Sequence, residues 1–352
     1  MANALNREVG MLPRRQSARL MLSALCVLLP GLVPATAVTR EGPLRPVHTF
    51  SIVARDPATG ELGVAVQSHW FSVGSVVPWA EAGVGAVATQ SIVEPSYGPL
   101  GLSLMRAGKS APEALKALLA SDSGADVRQV AMVDARGGAA AHTGEHCIRM
   151  AGDLVGAGFT TEANLMEKDT VWGAMARAYE KAPGDLTDRL VAALEAAQAE
   201  GGDIRGKQSA AILVVAGKST GRPWADRIVD LRVEDNDNPI AELKRLVRLN
   251  RAYRRMDAGD NLFAAGDIEG AVREYGGAEA LVPDNIEMIF WHAVTLANVG
   301  KVESALPLFR KVFADPVQGS KWRALVPRLP HSKMLPDDPK LIEAIAGAGK
   351  QP

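Results

Sequence analysis

With 352 residues the chain is long enough for two or more domains, and 47% hydrophobic with 22% charged residues excludes wholesale disorder. A balance of 39 basic against 40 acidic residues argues against nucleic acid or an anionic membrane as the main partner, because phosphate binding needs a clustered cationic surplus. Two cysteines exclude a disulfide scaffold and a Cys-rich zinc module.

Residues 1–37 read as a secretory signal peptide. Arg14, Arg15 and Arg19 supply the positive end, and Ala35-Thr36-Ala37 fits a small-x-small cleavage site. The apolar stretch Leu20 to Val33 is shorter than the roughly 18–20 residues that span a bilayer, so no permanent membrane anchor is expected. The expected location is periplasmic or secreted. Cleavage after Ala37 removes Cys26 and leaves 35 basic against 39 acidic residues, with Cys147 the one remaining thiol. Residues 38–48 form an N-terminal extension ahead of the first domain.

From residue 49 the pattern is of strands and helices in pairs. Phe50 to Ala54 and Leu62 to Ser68 are strand-like runs joined by Asp56-Pro57-Ala58-Thr59-Gly60, which has Pro and Gly where a hairpin turn wants them. Gly83 to Gln90 reads as a strand, and Tyr97 to Ala107 as a helix stopped by Gly108. Ser110-Ala111-Pro112-Glu113 is a capping box opening a helix to Ala120. Val127 to Val133 and Ala139 to Thr143 make a second hairpin around Asp134 to Gly138. Thr170 to Lys181 and Leu186 to Glu200 are helices, the second capped by Asp185, and Ser209 to Val215 and Arg227 to Val233 are strands. Paired strands alternating with paired helices predict two face-to-face sheets with helices outside, rather than one parallel sheet.

The polar run Asp235-Asn236-Asp237-Asn238-Pro239 separates a domain over residues 49–236 from an all-helical tail over 237–345. In the tail Gly266-Asp267-Ile268-Glu269-Gly270-Ala271 recurs as Gly300-Lys301-Val302-Glu303-Ser304-Ala305. Tyr275 and Phe309 keep the same spacing, and Pro283 and Pro316 close the units. A period near 34 with Gly, Ala, aromatic and Pro in this order resembles the tetratricopeptide repeat. Two units are a short array, so Ile240 to Gly259 is expected to add a helix.

Familiar catalytic signatures are missing: there is no G-x-S-x-G, P-loop, H-E-x-x-H or C-x-x-C. His142 and His146 have a helical metal spacing but sit at a strand end beside a glycine, so no metal and no cofactor is expected. More informative are polar residues that interrupt strand ends: Gln90, Glu94, Tyr97, His142, Asp203, Arg205, Gln208 and Ser209. A folded sheet can gather such ends into one substrate-binding cleft.

The runs HTFSIVARD (48–56), TGELGVAVQS (59–68), VGAVATQS (84–91), YGPLGL (97–102), HTGEHC (142–147), GGDIRGKQSAAILVV (201–215) and LRVEDNDNPIAELKRL (231–246) resemble domain-of-unknown-function family 1028. That family is grouped with the N-terminal-nucleophile (Ntn) hydrolases. The resemblance implies an α+β fold, a four-layer α/β/β/α sandwich, here followed by the small helical repeat domain, and it implies amide-bond hydrolysis. It places the nucleophile at Thr49, a hydroxyl residue opening the first strand, whose own α-amine would act as base. Ser68 would support it, Gln208 and Ser209 would donate to the oxyanion, and Gln90, Glu94, Tyr97, His142, Asp203 and Arg205 are the candidates for binding a small amide or peptide substrate. Two features depart from the superfamily pattern. A second cut, between His48 and Thr49, is required to free the amine, and residues 49–108 contain no lysine. The alternative is a non-catalytic extracytoplasmic module that keeps the fold and binds a protein partner through its repeats.

Overall fold

The structure, a computed structural model, describes residues 49–349; the expected signal peptide 1–37, the extension 38–48 and Cys26 lie outside the described residues. Apolar residues on both parities of the strands predict elements covered on both faces, and the architecture follows from that. Strands β1 (Thr49–Arg55) and β2 (Leu62–Ser68) pair antiparallel, in register from Thr49 with Ser68 to Arg55 with Leu62. Their turn is held by the Asp56 carboxylate, which accepts the Ala58 and Thr59 N–H groups at 2.7 and 3.0 Å, while Gly60 takes φ +75°.

β2 pairs onward with β9 (Ser209–Val215), which pairs with β10 (Arg227–Val233). On the other side β1 pairs with β8 (Phe159–Ala163), and β8 with β7 (Gly152–Gly156). The result is a six-stranded antiparallel sheet in the order β10-β9-β2-β1-β8-β7. A second antiparallel sheet runs β3 (Pro78–Glu81), β4 (Gly85–Ser91), β5 (Arg128–Asp134), β6 (Ala139–Thr143).

Period-2 alternation sorts side chains into three cores. Val53, Val64 and Val66 meet Ala86, Ala88, Ala131 and Val133 between the sheets. Phe50, Ile52 and Ala54 face the other way, onto α3 (Val171–Lys181) and α4 (Leu186–Ala199), where Met175, Tyr179 and Leu190 cover them. Val87, Val130 and Met132 are covered by Leu102, Met105 and Leu115 of α1 (Tyr97–Arg106) and α2 (Ala111–Ser121). Each fully buried Val, Ile or Phe contributes on the order of 1.5–3 kcal/mol. The capping box forms as expected: Ser110 Oγ accepts the Glu113 N–H, and the Glu113 carboxylate accepts the Ser110 N–H at 2.8 Å. Asp185 caps α4 through the Asp188 N–H at 3.0 Å.

Three strands were not legible in the sequence. β3 is four residues long, half-buried along its length, and opens on a proline, which suits the edge of a sheet. β7 and β8 form a hairpin around Ala157-Gly158, and the polar Thr160, Thr161 and Glu162 of β8 hide it from a hydrophobicity pattern although it is fully buried beside β1.

The C-terminal part is all helical: α5 (Pro239–Ala264), α6 (Ile268–Leu281), α7 (Ile286–Asn298), α8 (Val302–Phe313), α9 (Gly319–Leu325) and α10 (Pro339–Gly347). The repeat positions Ala271, Tyr275, Ala305 and Phe309 are all buried, in α6 and α8. Helix α5 serves two cores. Ile240, Leu243 and Val247 pack with α4 and the six-stranded sheet, whereas Ala252 and Met256 pack with Tyr275 and Ala278 of α6.

Close approach of α1 to β3 depends on Gly98. A methyl group there would lie 2.3 Å from the Trp79 indole. Gly98→Ala is therefore expected to destabilise the protein by about 1–3 kcal/mol, read as a lower denaturation midpoint in urea, despite alanine's better helix propensity.

Candidate functional site

The space between the sheets is apolar at one end and polar at the other, and Thr49 opens β1 at the polar end. Register carries a row of hydroxyls across three strands, Thr49 beside Ser68 and Ser68 beside Ser209. Thr49 is fully buried, with Oγ1 3.4 Å from Ser68 Oγ. Its carbonyl accepts the Asn164 N–H at 3.1 Å and Gln90 Nε2 at 3.4 Å, which fixes the start of β1 from both sheets.

Two residues on, Ser51 shares Thr49's parity and occupies the centre of a buried network. Ser51 Oγ lies 2.6 Å from both Gln90 Oε1 and Glu162 Oε1. A hydroxyl has one proton, so it can donate to only one of two acceptors. The other contact requires Glu162 to carry a proton and donate it. Burial supplies that proton: complete desolvation pushes the Glu162 carboxyl well above the usual carboxylate range, with Asp153 pushing the same way and Ser51 and Thr160 opposing. The donor chain then runs from Glu162 to Ser51 to Gln90. Gln90 Nε2 and Asn164 Nδ2 both donate to Gln129 Oε1 at 2.8 Å. Gln129 Nε2 reaches Thr143 Oγ1 at 2.9 Å, and Thr143 donates to Asp153 at 2.6 Å.

The rim is built by the loop before β9. The Asp203 side chain is fully buried and accepts the His69 N–H at 3.1 Å, the Arg205 N–H at 2.9 Å, and the Arg205 guanidinium at 3.0 and 2.7 Å. This holds the Arg205 cation beside the Ser68–His69 turn. The Gln208 N–H donates to Ser68 O at 3.1 Å. Gln67 Nε2 and Oε1 and His69 Nδ1 are buried polar atoms with no hydrogen-bond partner among the described residues, and Gln67 lies with Ala65 on the helix-covered face of β2, opposite to Ser68.

Of the residues singled out in the sequence, Thr49, Ser68, Ser209, Gln90, Asp203 and Arg205 gather at this end. Ser209 lies within the row, yet its hydroxyl donates to Trp70 O and accepts the Val73 N–H at 3.1 Å, so it also staples the β2–β3 connection. The Gln208 side chain turns to Asp235, at 3.1 Å. Glu94 and Tyr97 lie apart from the network, around a shallow depression of about 200 Å³ with Asp122. There the Tyr97 hydroxyl donates to Asp122 at 3.1 Å, and burial followed by the Asp122 charge raises its pKa. His142 sets Nε2 2.7 Å from Ala125 O, while His146 Nδ1 lies 2.7 Å from Asp126, so the two rings serve different partners. Cys147 is buried, and its sulfur contacts Arg128 O at 3.3 Å.

Sequence reasoning missed Ser51, Gln129, Glu162 and Asn164. One signal pointed to Ser51, Glu162 and Asn164, though not to Gln129: polar residues at alternate positions, 49 and 51 or 160, 162 and 164, in segments otherwise buried.

A family model described as "Family of unknown function (DUF1028)" matches residues 49–243. The match begins at Thr49 and ends at Leu243, inside the part of α5 that packs on the sheet. The crystal structure of protein SPO2555 from Silicibacter pomeroyi, which carries the same family model, is similar at 33% identity and a TM-score of 0.51, covering 57% of this chain and 88% of that one. No curated protein matches.

A carboxyl whose pKa is raised by folding binds its proton more tightly in the folded than in the unfolded state. Its contribution is fully present below the unfolded pKa of about 4.3 and is lost as pH rises above it. Glu162→Gln keeps the shape, and its amide can still donate to Ser51. The variant is expected to lose less stability than the native protein between pH 5 and pH 8, measured by urea unfolding at both.

Proposed function

The chain belongs to the DUF1028 family, whose function is unknown, and from that membership we propose a secreted or periplasmic Ntn-type amidohydrolase with Thr49 as nucleophile. The two sheets with helices on their outer faces are read as the four-layer α/β/β/α sandwich of that superfamily, and the helical tail as a short tetratricopeptide-like array that binds substrate or partner. The observation that carries the proposal is the position of Thr49: on a central strand, at the polar end of the interior, in register with Ser68 and with Ser68 Oγ 3.4 Å from its hydroxyl.

In this mechanism a cut between His48 and Thr49 frees an α-amine whose pKa of about 8 lets it take the hydroxyl proton near neutrality. Thr49 Oγ1 attacks the amide carbon, the C–N bond breaks as the leaving amine takes the proton, and water hydrolyses the resulting ester. With desolvation pushing the Glu162 carboxyl toward its neutral form, the donor chain from Glu162 to Gln90 weakens the pull of that carboxyl on the charged form of the amine. Gln208, whose side chain is turned to Asp235, serves the oxyanion only by turning back toward the hydroxyl row. Ser209 serves the oxyanion only by exchanging its bond to Trp70 O.

One specific observation favours the alternative, a non-catalytic binding module on the same fold: no lysine occurs in residues 49–108, where proteasome-like members place one. The intact mass of protein from its native host separates the two readings. A chain beginning at Thr49 is expected, and one that starts at Val38 and stays so removes the nucleophile. In a processed enzyme Thr49→Ala is expected to lower turnover of any amide substrate by about a thousandfold or more.

A further inference from the structure

The helical part carries an open groove of about 470 Å³ between the faces of α5 and α7, within the range of about 300–1,000 Å³ typical of small-molecule sites, with Tyr253, Asp257 and Asp260 at its exposed edge. Tyr253, Asp257 and Asp260 follow one another along one face of α5, and Glu287 and Trp291 along the facing side of α7. Its walls are aromatic: Tyr253, Phe263, Tyr275 and Trp291. Three carboxylates, Asp257, Asp260 and Glu287, share that lining with one cation, Lys333.

Glu242 of α5 and Glu274 and Glu279 of the adjoining α6 each lie within ion-pair distance of Arg245, Arg255 or His292, whereas Asp257, Asp260 and Glu287, like Glu269 of α6, form no ion pair among the described residues. Two of them are instead held by tyrosines. The Tyr275 hydroxyl donates to Asp260 at 2.7 Å and the Tyr253 hydroxyl to Glu287 at 2.6 Å. Burial, with Asp260, pushes Tyr275 up to about 12, so its hydroxyl stays a neutral donor. A phenol that donates to a carboxylate orients the negative charge without cancelling it.

Aromatic faces carry negative quadrupole potential and attract cations. Uncompensated carboxylates on the same walls add to that attraction and disfavour anions. We propose that this groove binds an organic cation with an apolar or aromatic body, its ammonium or guanidinium group among Asp257, Asp260 and Glu287 and its body against Trp291 and Phe263. The inference does not depend on hydrolysis at Thr49.

The test uses the full-length protein and 4-phenylbutylamine as probe, with 4-phenylbutanol as the neutral and 4-phenylbutyrate as the anionic counterpart, each titrated calorimetrically. Saturable binding of the amine is expected, with the alcohol about tenfold weaker or worse and no saturable binding of the acid. The double variant Asp257→Asn with Glu287→Gln, checked for folding by circular dichroism, is expected to bring the amine down to the alcohol's level. Equal binding of amine and alcohol, no saturable binding of the amine, or binding unaffected by the double variant overturns the proposal. Thr49→Ala is expected to bind the amine as the native protein does; loss of binding in that variant would assign the amine to the sandwich and overturn the proposal, whereas loss of hydrolysis alone leaves it standing.

Discussion

A single hydroxyl proton, that of Ser51, sets the terms on which the space between the two sheets can be polar. Set 2.6 Å from both the Gln90 and Glu162 oxygens, it can satisfy one of them and must receive from the other. Desolvation pushes the Glu162 carboxyl toward its neutral form against the opposing Ser51 contact, and the neutral form is the one in which both 2.6 Å contacts are hydrogen bonds. From that assignment the direction of the other bonds follows, Gln90 toward Gln129 and Thr49 O, and Gln129 toward Thr143. An ionised Glu162 would leave Ser51 between two acceptors in a dry interior and break the sequence of donors, at a cost of about 1–3 kcal/mol for each buried polar group left unpaired.

That network ties β1 to both sheets at the point where the candidate nucleophile stands. Farther along the same strand, Val53 lies among valines and alanines, and the sheets are held by apolar contact alone. The interior thus divides into a packed end that stabilises and a hydrogen-bonded end that positions. The backbone N–H of His69 is held beside the second end by Asp203, which also holds Arg205.

Helix α5 links this region to the helical tail by belonging to both. Its first turns fill the outer face of the six-stranded sheet and its last turns pair with α6. The polar stretch at 235–239 marks a change of texture in the chain, but the apolar residues that complete the first core lie beyond it. The family match, which runs on to Leu243, follows the packing rather than the texture.

Much of the fold was legible from the chain alone. The two hairpins on β1–β2 and β5–β6, the capping box at Ser110, the Asp185 cap and the buried Ala271, Tyr275, Ala305 and Phe309 all rest on local chemistry: turn residues, cap hydrogen bonds and helical spacing, which a sequence displays directly. The strand β8 was not legible, because its inward residues are polar and only partners on distant strands, such as Ser51, make them suitable for burial. The same holds for the site. Sequence singled out Thr49, Ser68 and Gln90 as polar residues at strand ends, yet it also offered Glu94, Tyr97 and His142, which sit in the same local context. What parted the two sets was strand parity and sheet order: Thr49, Ser51 and Gln90 project into one enclosed space, while His142 reaches Ala125 and Tyr97 reaches Asp122. Parity follows from register, and register is decided by pairings between strands more than 100 residues apart, such as Ser51 with Glu162. Local residues determined which elements form; only the long-range pairing of those elements decided which polar groups meet.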